Sequence, residues 1–249
     1  MHRFYISPEN WSPDALALTG SEAHHARDVL RMKRRDKLVL FNGRGREITA
    51  EIVDLGDEIR LQKLHEAETP PLRCRIVLGQ AIPKGKNMEL IMQKAVEIGA
   101  AEIVPIISDR TVVQVDSESA AQKQSKWQQI AVEAAKQCGQ NWLPYVHAPR
   151  KLSELFSVTA EESFDLQLIG SLQPGAQHLK KVLMDYSSEH QHRPHSVLML
   201  VGPEGDFTPA ELAFARGHGC QPITLGPIIL RVETAAIYCL SILSYELLI

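Results

Sequence analysis

From about residue 72 onward, short apolar runs alternate with segments whose apolar residues recur at helical spacing, and this alternation constrains the fold more than any other feature. Residues 73–80, 102–107, 111–115, 165–170, 197–202 and 222–225 read as strands. Helices are expected over 87–98, 119–138, 176–184 and 209–217, with a last one from about Arg231. In 87–98, Met88, Ile91, Met92, Ala95 and Val96 share one face. Strands joined through helices run parallel, and helices then cover both faces of the sheet, so this part reads as α/β. Ligands of such sheets collect outside the carboxyl ends of the strands. The loops after Gly170, Val201 and Leu225 are therefore the first places to look for a site.

A different pattern precedes the prolines at 70 and 71. Apolar runs at 37–41, 48–55 and 58–64 read as strands, with Asn42-Gly43-Arg44-Gly45 as a hairpin turn between the first two. Ser21 is a candidate cap for a short helix over 22–31 carrying His24, His25, Val29 and Leu30. Glu66-Ala67-Glu68-Thr69-Pro70-Pro71 reads as a linker. A small β-barrel-like domain over 1–70 followed by an α/β domain over 71–249 is the expected organisation, and 249 residues are comfortable for two domains.

Charge and cysteine usage narrow the function classes. A net charge of −3 gives no global attraction to nucleic acid, so any basic surface must be local. One such patch exists: Arg27, Arg31, Lys33, Arg34, Arg35, Lys37, Arg44 and Arg46 outnumber Asp28 and Asp36. Arg31, Lys33, Arg34 and Arg35 are the candidate RNA contacts, against the alternative of a solvated charged face. Cys74, Cys138, Cys220 and Cys239 are scattered with no C-x-x-C pair, which argues against a zinc site or a disulfide framework. Ser, Pro, Glu and Asn after Ile6 argue against a signal peptide, and the apolar tail 235–249 is short for a membrane span and carries Glu246. The expected location is the cytoplasm, with no membrane and no metal.

Three segments can carry chemistry. In 198–211 an apolar strand runs into Gly202-Pro203-Glu204-Gly205-Asp206, then into a helix with Thr208 as N-cap, Pro209 first and Glu211 closing a capping box. Its glycines permit close backbone approach to a ligand, and Glu204 with Asp206 suits a cationic ligand such as a sulfonium; a tight strand–helix turn explains the same residues. In 79–86 the glycine spacing is wrong for a phosphate loop, yet Lys84 and Lys86 sit at a helix start, where the helix dipole disfavours cations. Bound RNA phosphate accounts for them, as does a solvated helix end. In 225–236 a Gly226-Pro227 turn precedes Arg231, Glu233 and Thr234 at the start of the last helix.

Together these segments resemble one family, the ribosomal RNA small-subunit methyltransferase E proteins, 16S rRNA uridine-N3 methyltransferases of the SPOUT superfamily. The resemblance runs from His24-His25 through Leu30-Arg31, Gln80-Ala81-Ile82-Pro83-Lys84-Gly85, Gln93-Lys94-Ala95-Val96-Glu97-Ile98-Gly99, Asp109-Arg110-Thr111-Val112-Val113 and Glu133-Ala134-Ala135-Lys136-Gln137-Cys138-Gly139 to Gly202-Pro203-Glu204-Gly205 and Leu230-Arg231 before Glu233-Thr234-Ala235. It implies a PUA-like first domain, a parallel-sheet second domain with a trefoil knot, a homodimer, and S-adenosylmethionine as cofactor. It further implies that Ile169, Gly170, Leu200, Val201, Gly202, Pro203, Glu204, Gly205, Leu225, Gly226, Ile229, Leu230 and Thr234 surround the cofactor, and that Arg110 joins the RNA contacts. Ile228, Asp206, Gln140 and Val232 depart from the family's usual Arg, Gly, Arg and Thr. The implied reaction is direct methyl transfer to N3 of a specific uridine in 16S rRNA, with Glu233 as the candidate base or base-orienting group and Arg231 as the candidate stabiliser of the charge that develops on uracil O2 and O4. Two rival readings stand beside it: a SPOUT enzyme acting on another RNA, and a non-catalytic RNA-binding relative.

Overall fold

The computed structural model describes residues 1–112, 116–158 and 163–248. The chain falls into two compact units, one of Met1–Pro71 with Val132–Leu143 and one of Leu72–Ala131 with Pro144–Ile249.

In the first unit β1 (His2–Tyr5), β2 (Ala17–Leu18), β3 (Lys37–Phe41), β4 (Arg46–Leu55) and β5 (Ile59–Glu68) form one sheet in the order β1-β3-β4-β5-β2. Only the β1–β3 pairing is parallel. Period-two alternation drives it: Ile48, Ala50 and Ile52 of β4 face a core that includes Phe4, Leu18, Leu38, Leu40 and Ile59. The hairpin turn is held by Asn42, whose Oδ1 accepts from the Arg44 and Arg46 amides at 2.8 and 3.1 Å.

Three expectations for this unit need correction. Glu66–Glu68 are not linker: they extend β5 and pair with Ile48, Glu47 and Arg46. Their polarity reflects an exposed strand end, which composition alone cannot distinguish from a loop. The expected helix over 22–31 is instead α1 (Gly20–His24), capped by Thr19 rather than Ser21, followed by a π-helical turn over His25–Val29. The wider turn lets the Leu30 amide reach His25 O at 2.9 Å while Ala23, Ala26 and Met32 all enter the core. Finally, residues 132–143 pack with the first unit although they lie far along the sequence. The Trp142 indole N–H donates to Thr69 O at 2.8 Å, Asn141 Nδ2 to Thr69 Oγ1 at 2.9 Å, and Lys136 pairs with Glu22 at 2.6 Å. Such long-range partners leave no local periodicity to read.

The second unit runs β6 (Arg75–Ala81), α2 (Asn87–Ile98), β7 (Glu102–Ile107), α3 (Ser117–Cys138, whose last turns belong to the first unit), β8 (Tyr145–Val146), β9 (Arg150–Lys151), α4 (Leu152–Val158), β10 (Leu166–Gly170), β11 (Gln177–His178), α5 (Leu179–His190), β12 (Ser196–Val201), α6 (Pro209–Gly217), β13 (Gln221–Thr224) and α7 (Val232–Leu247). The strands pair in parallel in the order β11-β13-β10-β12-β6-β7-β8, with β9 also on β7. Val77, Ala81, Ile106, Ile169, Leu198 and Leu200 belong to one buried cluster with Phe207 and Leu212. Each of the buried Val, Ile, Leu and Phe side chains contributes about 1.5–3 kcal/mol. Helices α2 and α7 pack against each other, and α7 also lies on β6 and β12.

The helix expected at 176–184 begins only at Leu179, because Gln177 and His178 add to β13 as a short strand. The strand expected at 111–115 is not seen in its first two residues: Thr111 closes a turn whose amide donates to Ser108 O at 2.9 Å, and residues 113–115 lie outside the described residues. Two-residue strands such as β8 and β9, and the short α4, carry too few residues for a period to show. No helix among the described residues is long and apolar enough to cross a membrane, and no cluster of three or more metal-ligating side chains occurs among them.

Candidate functional site

The carboxyl ends of β10, β12 and β13 open onto a cavity of about 460 Å³. Gly170, Ser171 and Leu172 line it from the first loop, Val201–Glu204 and Asp206 from the second, and Thr224–Gly226 with Ile228–Leu230 from the third. Asn87 at the start of α2 and Arg231, Val232, Glu233, Ala235 and Cys239 at the start of α7 complete the lining, with Met199 and Ile223 on the sheet.

Strand alternation decides which expected residues reach this space. Met199 and Val201 point into it, so Leu200 between them points to the opposite face and is fully buried in the core; Ile169 next to Gly170 is buried there too. Gly205 and Thr234 are exposed and do not line the cavity. A Cβ added at Gly205 would meet Arg110 Cδ at 3.2 Å. Gly202 is the crowded glycine: a Cβ there would meet Asp206 Oδ1 and the Phe207 amide nitrogen at 3.2 Å and Asp206 Cα at 3.3 Å. Gly170, Val201, Gly202, Pro203, Glu204, Leu225, Gly226, Ile229 and Leu230 do line the cavity, as do Arg231 and Glu233.

The acidic residues of the Gly-Pro-Glu-Gly-Asp loop have a role that composition did not disclose. Glu204 Oε1 accepts from the Lys84 amide at 2.8 Å, joining this loop to the one after β6. Asp206, at φ 62°, accepts from the Leu172 amide at 3.2 Å with Oδ2 and from the Phe207 amide at 2.8 Å with Oδ1, joining it to the loop after β10. Glu211 accepts from the Asp109 amide at 2.9 Å and closes the expected capping box with Thr208, joining α6 to the loop after β7. Arg110 donates to Gly205 O, which ties its guanidinium to the same loop. These carboxylates accept from backbone N–H groups and so tie the loops together, while Glu204 and Asp206 still place negative charge on the cavity.

Glu233 lies in the first turn of α7, half-buried, and its Oε2 accepts from Asn87 Nδ2 at 3.2 Å. Arg231 is the N-cap residue of α7, exposed, and no hydrogen bond or ion pair engages its guanidinium among the described residues. Burial pushes the Cys239 thiol up to about 12, so it stays protonated and is no nucleophile at neutral pH. The cavity thus offers an apolar slot edged by main-chain groups, the carboxylates of Glu204, Asp206 and Glu233, and the guanidinium of Arg231. That set suits binding of a flat, mixed polar–apolar ligand and proton removal from a weak acid beside it.

Away from the cavity, Arg31, Lys33, Arg34 and Arg35 are exposed with no side-chain partner among the described residues, and Arg31 and Arg35 have φ of 54° and 71°. Lys84 and Lys86 are also exposed, with Lys86 capping α2. Asn87, Met199, Ile223 and Cys239 were not anticipated as lining; Met199 is recoverable in retrospect from its alternation with Leu200 along the strand.

Two family models match the chain: an RNA methyltransferase domain over residues 70–244 and an RNA methyltransferase PUA domain over residues 18–63. Over 92% of its length the chain is 30% identical to the ribosomal RNA small subunit methyltransferase E of Bacillus subtilis, covering 90% of that protein. Among solved structures it is similar to the ribosomal RNA small subunit methyltransferase E of Neisseria gonorrhoeae bound to S-adenosyl methionine, with 31% identity, 99% of this chain and 98% of the other covered, and a TM-score of 0.85. A Legionella pneumophila protein solved with bound cofactor SAM matches at 33% identity and a TM-score of 0.84, covering 98% of this chain and 97% of that one.

Proposed function

The chain belongs to the RNA methyltransferase family and, within it, to the ribosomal RNA small subunit methyltransferase E proteins, and from that premise we propose that it methylates N3 of a uridine in 16S rRNA, position 1498 by family nomenclature, using S-adenosylmethionine. The observation that carries the reading is the cavity at the carboxyl ends of β10, β12 and β13, into which both Arg231 and Glu233 reach. Its volume lies within the range typical of small-ligand sites, roughly 300–1,000 Å³, and Gly202 leaves room where a Cβ would displace the Asp206 turn, so the residues present fit this cofactor.

When bound, S-adenosylmethionine supplies a methyl group on a sulfonium. Gly170, Gly202, Leu225, Gly226 and Leu230 hold it, in this reading, through their backbone and apolar surfaces. Glu233 takes the N3 proton of uracil, and Arg231 offsets the charge that develops on O2 and O4 as that proton leaves. The exposed cations Arg31, Lys33, Arg34 and Arg35, with Lys84 and Lys86, contact RNA phosphate. The finer points belong to the same proposal: a homodimer in the cytoplasm, and a trefoil knot in the second unit.

The test is mass mapping of small-subunit rRNA from cells lacking the protein, followed by incubation with purified protein and isotopically labelled cofactor. One N3-methyluridine should be missing and should return with the label. A complete rRNA modification pattern in the deletion strain refutes the assignment.

A further inference from the structure

Asn87 lines the cavity from the first turn of α2, and its amide is the hydrogen-bond partner that the described residues provide for the Glu233 carboxylate. The contact joins two helices that pack on each other, so the amide and the carboxylate are brought together by the body of the fold rather than by a loop. We infer that Asn87 is a positioning residue, which fixes Glu233 Oε2 through its donated N–H and leaves Oε1 as the atom that receives the proton from uracil N3. The inference rests on the reading of Glu233 as the base.

The chemistry requires such a device. A carboxylate that swings freely is seldom in line with the N3–H bond. A donated N–H favours the charged form, and fixing Oε2 also fixes the direction of Oε1. In the transfer, the N3–H bond breaks with its proton passing to Oε1. The nitrogen lone pair forms the N–C bond as the C–S bond breaks, and that electron pair stays on sulfur. The neutral carboxyl then loses its proton to solvent.

Few other charged groups compete for Glu233. The charged side chains on the cavity besides it are Glu204, Asp206 and Arg231, and the first two are already engaged by main-chain amides. On α2, Glu89 pairs with Lys126 and Lys94 with Glu97, while Lys86 caps the helix exposed. β6 contributes Arg75, which pairs with Glu102, and β12 contributes no charged residue. Arg231 is therefore the charged side chain on the cavity, besides Glu233, that no main-chain amide or ion pair engages among the described residues.

The experiment compares wild type, Asn87→Ala, Asn87→Asp and Glu233→Gln. Two quantities are read: the Glu233 carboxyl titration by carbon NMR on the cofactor-free protein, assigned by its loss in Glu233→Gln, and the pH–rate profile of single-turnover methylation. Losing the donor in Asn87→Ala should raise the titration midpoint, and a like charge in Asn87→Asp should raise it further, by about one pH unit or more. The acid limb of the rate profile should move by the same amount in each, with the plateau rate at high pH falling less than the rate at neutral pH. An unchanged midpoint in both Asn87 variants overturns the inference. Should Glu233→Gln keep the wild-type rate and acid limb, the base assignment fails instead, and the inference falls with it even if the midpoints move. Asn87→Ala keeps the test decisive should Asn87→Asp fail to fold.

Discussion

At Gly202 the absence of a side chain lets the strand end turn back on itself. A Cβ there would press on backbone atoms of Asp206 and Phe207, which cannot swing aside, whereas a Cβ at Gly205 would press on the flexible Arg110 side chain. Gly202→Ala should therefore weaken S-adenosylmethionine binding by tenfold or more in calorimetry, with circular dichroism unchanged. Gly205→Ala should bind within about threefold of wild type. The opposite order would mean that the cofactor lies against Gly205 and not in the cavity described above. This contrast was not legible in the sequence, where the two glycines of one short motif look equivalent.

At the level of elements, the loops at the carboxyl edge behave as one assembly because acidic side chains of one loop accept amides from the others. Asp206→Asn isolates a single tie: asparagine tolerates the left-handed backbone that Asp206 adopts but offers one acceptor oxygen in place of two. The loss should cost about 1–3 kcal/mol locally, so the Leu172 or Phe207 amide should exchange with solvent roughly tenfold or more faster. Unaltered exchange at both would show that Asp206 is dispensable to the loop. The regular elements were largely legible: the periods of 87–98, 102–107 and 209–217 lead to α2, β7 and α6 at the bounds observed. What stayed hidden was decided by distant partners. The side chains of Leu200 and Ile169 turn to the core face of their strands, since an almost uninterrupted apolar run carries no alternation to mark the side that meets the cavity. The π-helical turn at His25–Val29 arises from core packing of Ala23, Ala26 and Met32, which no helical period encodes.

At the level of the whole molecule, a chain of net charge −3 must bind RNA through local surface. Arg31 and Arg35 occupy left-handed backbone positions that favour glycine, and each costs of order 1 kcal/mol there. Replacing Arg31, Lys33, Arg34 and Arg35 by glutamine should flatten the log–log dependence of RNA affinity on salt by up to about 3–4 units, leaving cofactor affinity unaltered. An unchanged slope would make the stripe a solvated face. Residues 132–143 contribute to the first unit through Trp142, Asn141 and Lys136, a long-range assignment that sequence order does not disclose.

The sheet order has a consequence for the timing of synthesis. β6 is made early in the second unit, yet one of its two neighbours is β12, with Gln80 set against Val201, and α7 covers both strands. A nascent chain that has emerged through β13 still lacks Arg231, Glu233 and the helix that closes the cavity. Its β-strands must remain protected from misassociation until α7 has left the ribosome, because non-local pairing is slow and exposes apolar edges meanwhile. The lining of the cavity is therefore completed in a single late event, when the start of α7 joins the three loops at the carboxyl edge.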